Sequence, residues 1–345
     1  MSKEKLTLAY AGKDVYKRYF VGLAFGDSAV EEYIGMTWVW RNARILRKKG
    51  SDCCLMVSDV LRDYRKLFIH KKCFYIPAWV GGGTDSSSNL TRSAKSDIQK
   101  LKKNKMHCEV TDEPAAFDRF YHDMHVPYIK NVYGDQAIIF SYEDMRNKFG
   151  RRRLYNALFF LKNERNETLA SVLVGYKKNA LHLYFLGVKE GDYDLVKEGV
   201  VGILFSYPVL YAKEKGYAWV DFGWSRPFLK DGALNFKKKR GMHIVDIFEK
   251  GYVLRPISKS AGLMNFLANN PFLYGDRKSL RCALFMDRGQ SLSAEDFSRI
   301  YSDHYMDGIS QFTIYFFGGV PAGTRGAVPP DLWDKFSFES ADGLF

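Results

Sequence analysis

The stretch Ala218–Gly241, A-W-V-D-F-G-W-S-R-P-F-L-K-D-G-A-L-N-F-K-K-K-R-G, decides how the rest of the chain is read. Ala218–Phe222 is a short apolar run that ends around Asp221 and follows a Lys215–Gly216 break, as a buried strand does after a helix. Gly223 lets the backbone turn. Asp231–Gly232 opens a segment whose last turn collects Lys237, Lys238, Lys239 and Arg240 before Gly241. Cations in a last turn suit the helix dipole, and glycine just beyond suits a left-handed cap. The stretch therefore reads strand, loop, short helix, stop. It brings Asp221, Arg226, Asp231 and Asn235 to one edge of a sheet, where α/β proteins bind ligands. D-F-G also occurs in protein kinases, but no H-R-D loop and no upstream G-x-G-x-x-G accompany it. The K-K-K-R run reads as a solvated helix end or as a nucleic-acid patch.

D-F-G followed by D-G-x-x-N-F-K-x-x-x-G resembles the last core strand and following helix of Fem-type acyltransferases, which are tandem GNAT (acetyltransferase-fold) proteins. The resemblance is strongest over Lys105–Tyr252. It implies transfer of an acyl or aminoacyl group onto an amine, with acyl-CoA or aminoacyl-tRNA as co-substrate, no permanently bound cofactor and tRNA among the partners.

The elements within that span support the reading. His107–Thr111 is strand-like, and Thr111-Asp112-Glu113-Pro114 starts a helix with a cap, early acids and an N-terminal proline. Phe117, Phe120, Tyr121 and Met124 form its apolar stripe, and Pro127 should bend or end it. Ser141 and Asp144 cap a second helix closed by Gly150. Leu154–Leu161, Thr168–Gly175 and Ala180–Gly187 are three successive strands, followed by a long helix over Tyr193–Lys215 and then the strand ending at Asp221. The order β-α-α-β-β-β-α-β-α-β is the GNAT order. A GNAT domain receives the donor pyrophosphate on a loop after its third strand, at a helix start. The usual Q/R-x-x-G-x-G/A is absent here. Val188 and Gly191, with Gly199 further on, hold its place, which suits an aminoacyl-tRNA donor or a diverged CoA site.

Catalysis is expected at Asp221, the preferred acid-base group or else a cap for the following loop, with Asn235 and Lys237 supplied by the following helix. Tyr184 protonates a leaving thiolate or, the commoner case, lines the core or the groove. Arg226, Asp231 and Phe236 of the same stretch are expected to bind substrate. His182 and His243 are further general-base candidates, each in an alternating strand where a structural histidine is the commoner case. Arg92, Lys95, Gln99 and Lys102 recur at steps of three or four, so a helix over Asn89–Lys105 carries them on one face. That face holds a phosphate or carboxylate, or is simply solvated. The second functional reading is a catalytically silent scaffold that recognises an anionic or nucleic-acid partner through it.

Toward the N-terminus, Glu31–Lys49 reads as a helix with one apolar face, and Cys53–Ser58 and Cys73–Trp79 as strands around a basic piece, Val60–His70. Gly81-Gly82-Gly83-Thr84-Asp85 reads as a flexible loop, plain or phosphate-cradling, although it lacks the G-K-[ST] ending of a phosphate loop. Beyond Tyr252 come a helix over Ile257–Asn269, a strand over Leu280–Met286, a helix over Ser293–Tyr305 and a strand over Gln311–Phe317. The Gly- and Pro-rich tail from Gly318 reads as a loop or arm that Trp333 and Phe336 can dock. The expected architecture is therefore α/β with mixed α+β sheets, in tandem GNAT-like domains. These are 1–104, completed by the C-terminal β-α-β unit 256–317; a second, acyltransferase domain over 105–255; and a tail over 318–345.

Composition agrees with this. The 345 residues suit two domains, and 46% hydrophobic content with 26 Phe and 22 Tyr can bury large cores. The net charge of +13 points to an anionic or nucleotide-linked partner. Five cysteines, an odd number without C-x-x-C, argue against a disulfide scaffold or zinc site and for a reducing compartment. No metal site is expected. The start M-S-K-E-K-L-T-L-A-Y has no signal-peptide core, and Val200–Ala212 is too short to span a bilayer, so a cytoplasmic location is expected.

Overall fold

The computed structural model describes residues 6–12, 14–25, 33–36, 53–61, 72–134, 137, 139–149, 155–275 and 278–345. They form a mixed α/β fold in two compact units. The first is Met1–Val80, Ser225–Asn235 and Ile244–Phe345; the second is Gly81–Trp224 and Phe236–His243.

The chain begins with β1 (Leu8–Ala11), β2 (Tyr33–Met36), β3 (Leu55–Leu61) and β4 (Phe74–Pro77). It continues with β5 (Val80–Asp85), β6 (His107–Thr111), β7 (Tyr155–Lys162), β8 (Thr168–Lys177), β9 (Ala180–Val188) and β10 (Trp219–Ser225). After β11 (His243–Ile247) come β12 (Lys250–Pro256), β13 (Phe272–Tyr274), β14 (Arg281–Asp287), β15 (Gln311–Phe317) and β16 (Phe336–Ser340).

In the first unit β1 lies between β2 and β3, parallel to both, and β12 runs antiparallel between β3 and β4. A second sheet has the order β13-β14-β15-β16, with β14, β15 and β16 parallel. One apolar core serves both sheets: Leu8, Tyr10, Phe20 and Leu55 pack in the same cluster as Phe272, Phe285, Tyr315 and Phe317. Phe74 meets Phe272 and Tyr315 edge-on, each with ring centroids 5.3 Å apart, the geometry ring quadrupoles favour.

Several expectations for this unit change. Within the Glu31–Lys49 helix expected, the described residues Tyr33–Met36 are strand; the rest of that span, and 62–70 of the basic piece, lie outside the described residues. The Gly81–Asp85 loop is the strand β5, because its small residues allow close pairing beside β10. The tail is no arm. Its β16 joins the second sheet alongside β15, docked by the buried Phe336, whereas Trp333 is 58% exposed.

In the second unit the strands run in the order β5-β10-β9-β8-β7-β6. β6 to β9 form an antiparallel meander, and β10 returns parallel to β9. This unit starts at Gly81 rather than at 105 because β5 pairs next to β10 and the Arg92–Lys103 helix packs on the Val200–Lys215 helix. At its far end, the strand β12 belongs to the first unit although 105–255 was expected to be one domain, since it pairs with β3 and β4.

Phe117, Phe120, Tyr121, Met124 and Met145 bury against Leu158, Phe160 and Leu173. The helix expected to bend at Pro127 instead passes through a π-turn, Phe120–His125, between Pro114–Arg119 and Val126–Tyr133. The wider turn absorbs the proline's missing N–H just ahead of it. The helix expected over Tyr193–Lys215 is two helices, Tyr193–Glu198 and Val200–Lys215, because Gly199 takes a left-handed φ of 98° between them. No helix among the described residues is long and apolar enough to cross a membrane.

Candidate active site

β9 and β10 form the centre of the site. Their parallel pairing covers three steps, Trp219↔Ala180, Val220↔Leu181 and Asp221↔His182. β9 then runs on to Val188 and β10 to Ser225, so the two strands part just beyond Asp221. Asp221 is therefore the last paired residue of its strand rather than the strand's end. Gly223, with φ 72°, diverts the chain at this point.

The pairing sets Asp221 and His182 opposite one another. His182 Nδ1–H donates to Asp221 Oδ2 at 2.9 Å, and the other carboxylate oxygen accepts the Gly223 N–H at 2.7 Å. The side chains keep 22% and 31% exposure, so both are desolvated in part and open to a ligand. Tyr184 joins them through a register slip. Leu173 faces Phe185 and Val174 faces Leu183, which leaves Tyr184 as the extra residue of a bulge on β9. Bulges re-aim a side chain, and often lie next to active sites. The Tyr184 ring is 41% exposed and lies nearly parallel to His182, with centroids 6.1 Å apart. Partial burial, and secondarily the Asp221 charge, raise the Tyr184 pKa, so the phenol keeps its proton at neutral pH.

The remaining residues of the quoted stretch are held elsewhere. Asp221 does not draw on Asn235 or Lys237, because β9 supplies its partner first. Asn235 Nδ2 donates to the Leu229 carbonyl at 2.8 Å, and Asp231 accepts the Leu234 N–H at 2.9 Å, so both brace the helix start. Arg226 stacks over the Tyr19 ring at 3.8 Å. These three residues belong to the first unit, as does Phe228, buried in its core. Lys237 is buried and donates to the Trp224 carbonyl at 2.8 Å, tying down the end of β10. Phe236 packs edge-on against Phe205, with centroids 5.1 Å apart.

The K-K-K-R run is accordingly not a solvated end throughout. Arg240 reaches Asp97 of the Arg92–Lys103 helix with two nitrogens, at 2.8 and 3.1 Å, and Ser206 donates to the same carboxylate at 2.7 Å. Neither charged side chain is more than 10% exposed. Sequence reading passed over Asp97, although one signal was present: Ala94, Asp97, Ile98 and Leu101 form the apolar stripe, and Asp97 is the one acid on it. The opposite face carries Arg92, Lys95, Gln99 and Lys102, all exposed as expected.

Of the residues placed at the donor loop, Val188 ends β9 and is buried, and Gly191 is buried with its carbonyl held by Asn131 at 3.1 Å. Gly199 is the N-cap of the Val200–Lys215 helix and adds no side-chain cap. Lys100 lies beside it: a methyl group on Gly199 would come within 2.9 Å of the Lys100 ammonium. His243 sits at the wall of a polar cavity of about 100 Å³ with Thr84, Asp85, Asn89 and Thr91, away from Asp221 in the sheet order. A histidine that sequence reading missed, His125, is buried in the π-turn. Its Nδ1–H donates to the Leu186 carbonyl at 2.7 Å, and burial holds its pKa below the ordinary value.

Gly175, opposite His182 on β8, makes room for Tyr184: an added Cβ would lie 2.3 Å from the tyrosine ring. Gly175→Ala is expected to push that ring out of place and lower turnover about 100-fold, the scale of an ångström-sized misplacement. A melting temperature close to wild type, measured alongside, would show that the effect is local. Unchanged turnover would remove Tyr184's position from the chemistry.

No family model matches the chain, and no curated protein matches it. Solved structures similar to it include FemX, with a TM-score of 0.40 and 12% identity over 62% of this chain and 75% of that one. L-PGS from Bacillus licheniformis gives a TM-score of 0.38 and 13% identity over 65% of this chain and 74% of that one. A GCN5-related N-acetyltransferase from Kribbella flavida gives 0.31 and 8%, over 72% and 54%.

Proposed function

We propose that the chain is an N-acyltransferase, in which an amine attacks the carbonyl of a thioester or ester donor held where β9 and β10 part. The observation that carries this reading is the parallel pairing that stops at Asp221↔His182 beside a carboxylate, an imidazole and a phenol. Where two strands separate, backbone groups lose their opposite strand and become available to an extended ligand and to a developing oxyanion. Acid-base work falls to the Asp221 side of the wedge, and Tyr184 protonates the leaving group.

The donor is an acyl-CoA or an aminoacyl-tRNA. Its phosphates would lie at the start of the Val200–Lys215 helix, beyond Val188 and Gly191, where Gly199 leaves the first N–H groups without a side-chain cap. Native mass spectrometry and thermal shift with acetyl-CoA and with aminoacyl-tRNA test this. A true donor present at 100 times its Kd should stabilise the fold by about 2.7 kcal/mol. Absence of binding by both donors, and of amide product from either, would end the acyltransferase reading.

One observation favours the second reading, a scaffold for an anionic partner. Arg92, Lys95, Lys100, Lys102 and Lys103 are exposed on one helix, and among the described residues none of them forms an ion pair. If Arg92, Lys95 and Lys102 hold a nucleic-acid backbone, changing all three to Ala should lower the slope of log K against log salt by about 2 for a single strand. The melting temperature should stay within a degree or two. An unchanged slope would return the three residues to a solvated face.

A further inference from the structure

We infer that His182, rather than Asp221, is the group that takes the acceptor's proton, and that Asp221 acts through it as a positioning residue. This rests on the acyltransferase reading above. Both carboxylate oxygens of Asp221 are engaged, one by the Gly223 N–H at 2.7 Å and the other by the His182 Nδ1–H at 2.9 Å. An accepting carboxylate on Nδ1 fixes the imidazole in the tautomer that carries its proton there, and leaves the Nε2 lone pair as the acceptor. Among the described residues His182 makes its one side-chain hydrogen bond to Asp221, which leaves Nε2 uncommitted there. The Gly223 N–H steadies the carboxylate that holds the ring at Nδ1. The third group at the ring is Tyr184, lying nearly parallel to it. Among the described residues, Asp221 and Tyr184 are the titratable groups in contact with the imidazole, Asp221 at 2.9 Å and Tyr184 at 6.1 Å between ring centroids.

The proton balance follows from this arrangement. The amine nitrogen bonds to the acyl carbon and gives one proton to His182 Nε2. The bond from the acyl carbon to sulfur or oxygen breaks, and the leaving atom takes the Tyr184 proton. The phenolate then recovers a proton from the imidazolium through solvent. The net transfer is one proton from the amine to the leaving group, with the enzyme unchanged.

Two measurements on the full chain test the assignment. Long-range proton–nitrogen spectra of the 15N-labelled protein, with His182→Gln to identify the signal, read the tautomer directly. Neutral His182 is expected to carry its proton on Nδ1, and Asp221→Asn is expected to weaken that preference, because the amide can turn its NH2 toward Nδ1. A wild-type ring protonated on Nε2 overturns the inference whatever the activity. The second measurement follows thiol release from acetyl-CoA, and amide formation from aminoacyl-tRNA, with n-butylamine as the acceptor. His182→Ala should lower kcat by about 10²- to 10⁴-fold with the donor KM little changed, and added imidazole should restore part of the rate. Full activity in His182→Ala, or loss that imidazole does not restore, overturns the inference while leaving the acyltransferase reading intact. No transfer by the wild-type chain from either donor, with the expected tautomer present, removes the acyltransferase reading and the role with it.

Discussion

Asp221→Asn is expected to lower turnover by about two to four orders of magnitude, the range for losing general acid-base work that Asp221 supports by orienting His182, while the unfolding midpoint moves little. The substitution keeps the shape of the side chain and removes its charge. An amide has a single oxygen acceptor, and here two donors compete for it, the Gly223 N–H and the His182 Nδ1–H. If the oxygen stays with Gly223, the amide NH2 faces Nδ1 and drives the imidazole proton to Nε2, so the ring can no longer accept a proton from the amine. If the oxygen turns to His182, the Gly223 N–H loses its partner at the point where β10 leaves β9. The first arrangement ends catalysis and the second loosens the wedge. With partial exposure at both side chains, water replaces part of any lost bond, so stability changes less than activity. Turnover and urea midpoint, measured together on Asp221→Asn, separate chemistry from structure. A stably folded variant with full activity would exclude Asp221 from the mechanism, and leave catalysis to substrate positioning.

Asp97→Ala should produce the largest loss of stability. Its carboxylate is buried, bonded twice by Arg240 and once by Ser206. Removing it leaves a guanidinium inside the unit with its other contacts only, the Phe236 carbonyl at 3.1 Å and the Phe236 ring at 3.6 Å. Breaking one side of a buried pair costs about 3–5 kcal/mol, a fifth or more of the roughly 5–15 kcal/mol that holds a typical domain together. Gly202 shows how closely the surrounding helix fits the pair, since a methyl group there would come within 2.4 Å of the Asp97 carboxylate. Urea denaturation is the check. Asp97→Leu combined with Arg240→Met should recover much of the loss, because replacing both partners leaves no buried charge. A change below about 1 kcal/mol for Asp97→Ala alone would mean that water reaches the pair and that it behaves as a surface ion pair.

Much of the second unit was legible in the sequence because its signals are local. Alternation, turn residues and caps predicted β6, β7, β8, β9 and β10, each within about three residues, and the order of helices between them. The apolar stripe Phe117, Phe120, Tyr121 and Met124 packs as its spacing dictates, because a helical period places those side chains on one face whatever they meet. Asp221 was legible for the same reason, as an acid in an otherwise apolar strand.

What the sequence left open was decided by pairing between distant segments. Nothing near Asp221 in the chain says that its partner is His182, because β9 and β10 are joined through two helices and meet by sheet register. Asn235 and Lys237 look like partners by spacing, yet each reaches a backbone carbonyl first, since a freed carbonyl at a strand end or helix start must be satisfied by the nearest donor. Arg240 lies in a run of cations and reads as a solvent-facing charge; only its meeting with Asp97, 143 positions away, turns it inward. The Gly81–Asp85 segment likewise became a strand through the neighbour that β10 provides, against its own glycine content. Local periodicity and capping, which act over a few residues, thus fixed the elements, whereas desolvation and hydrogen-bond satisfaction, which depend on which surfaces meet, decided which charged groups line the wedge and which hold the fold together.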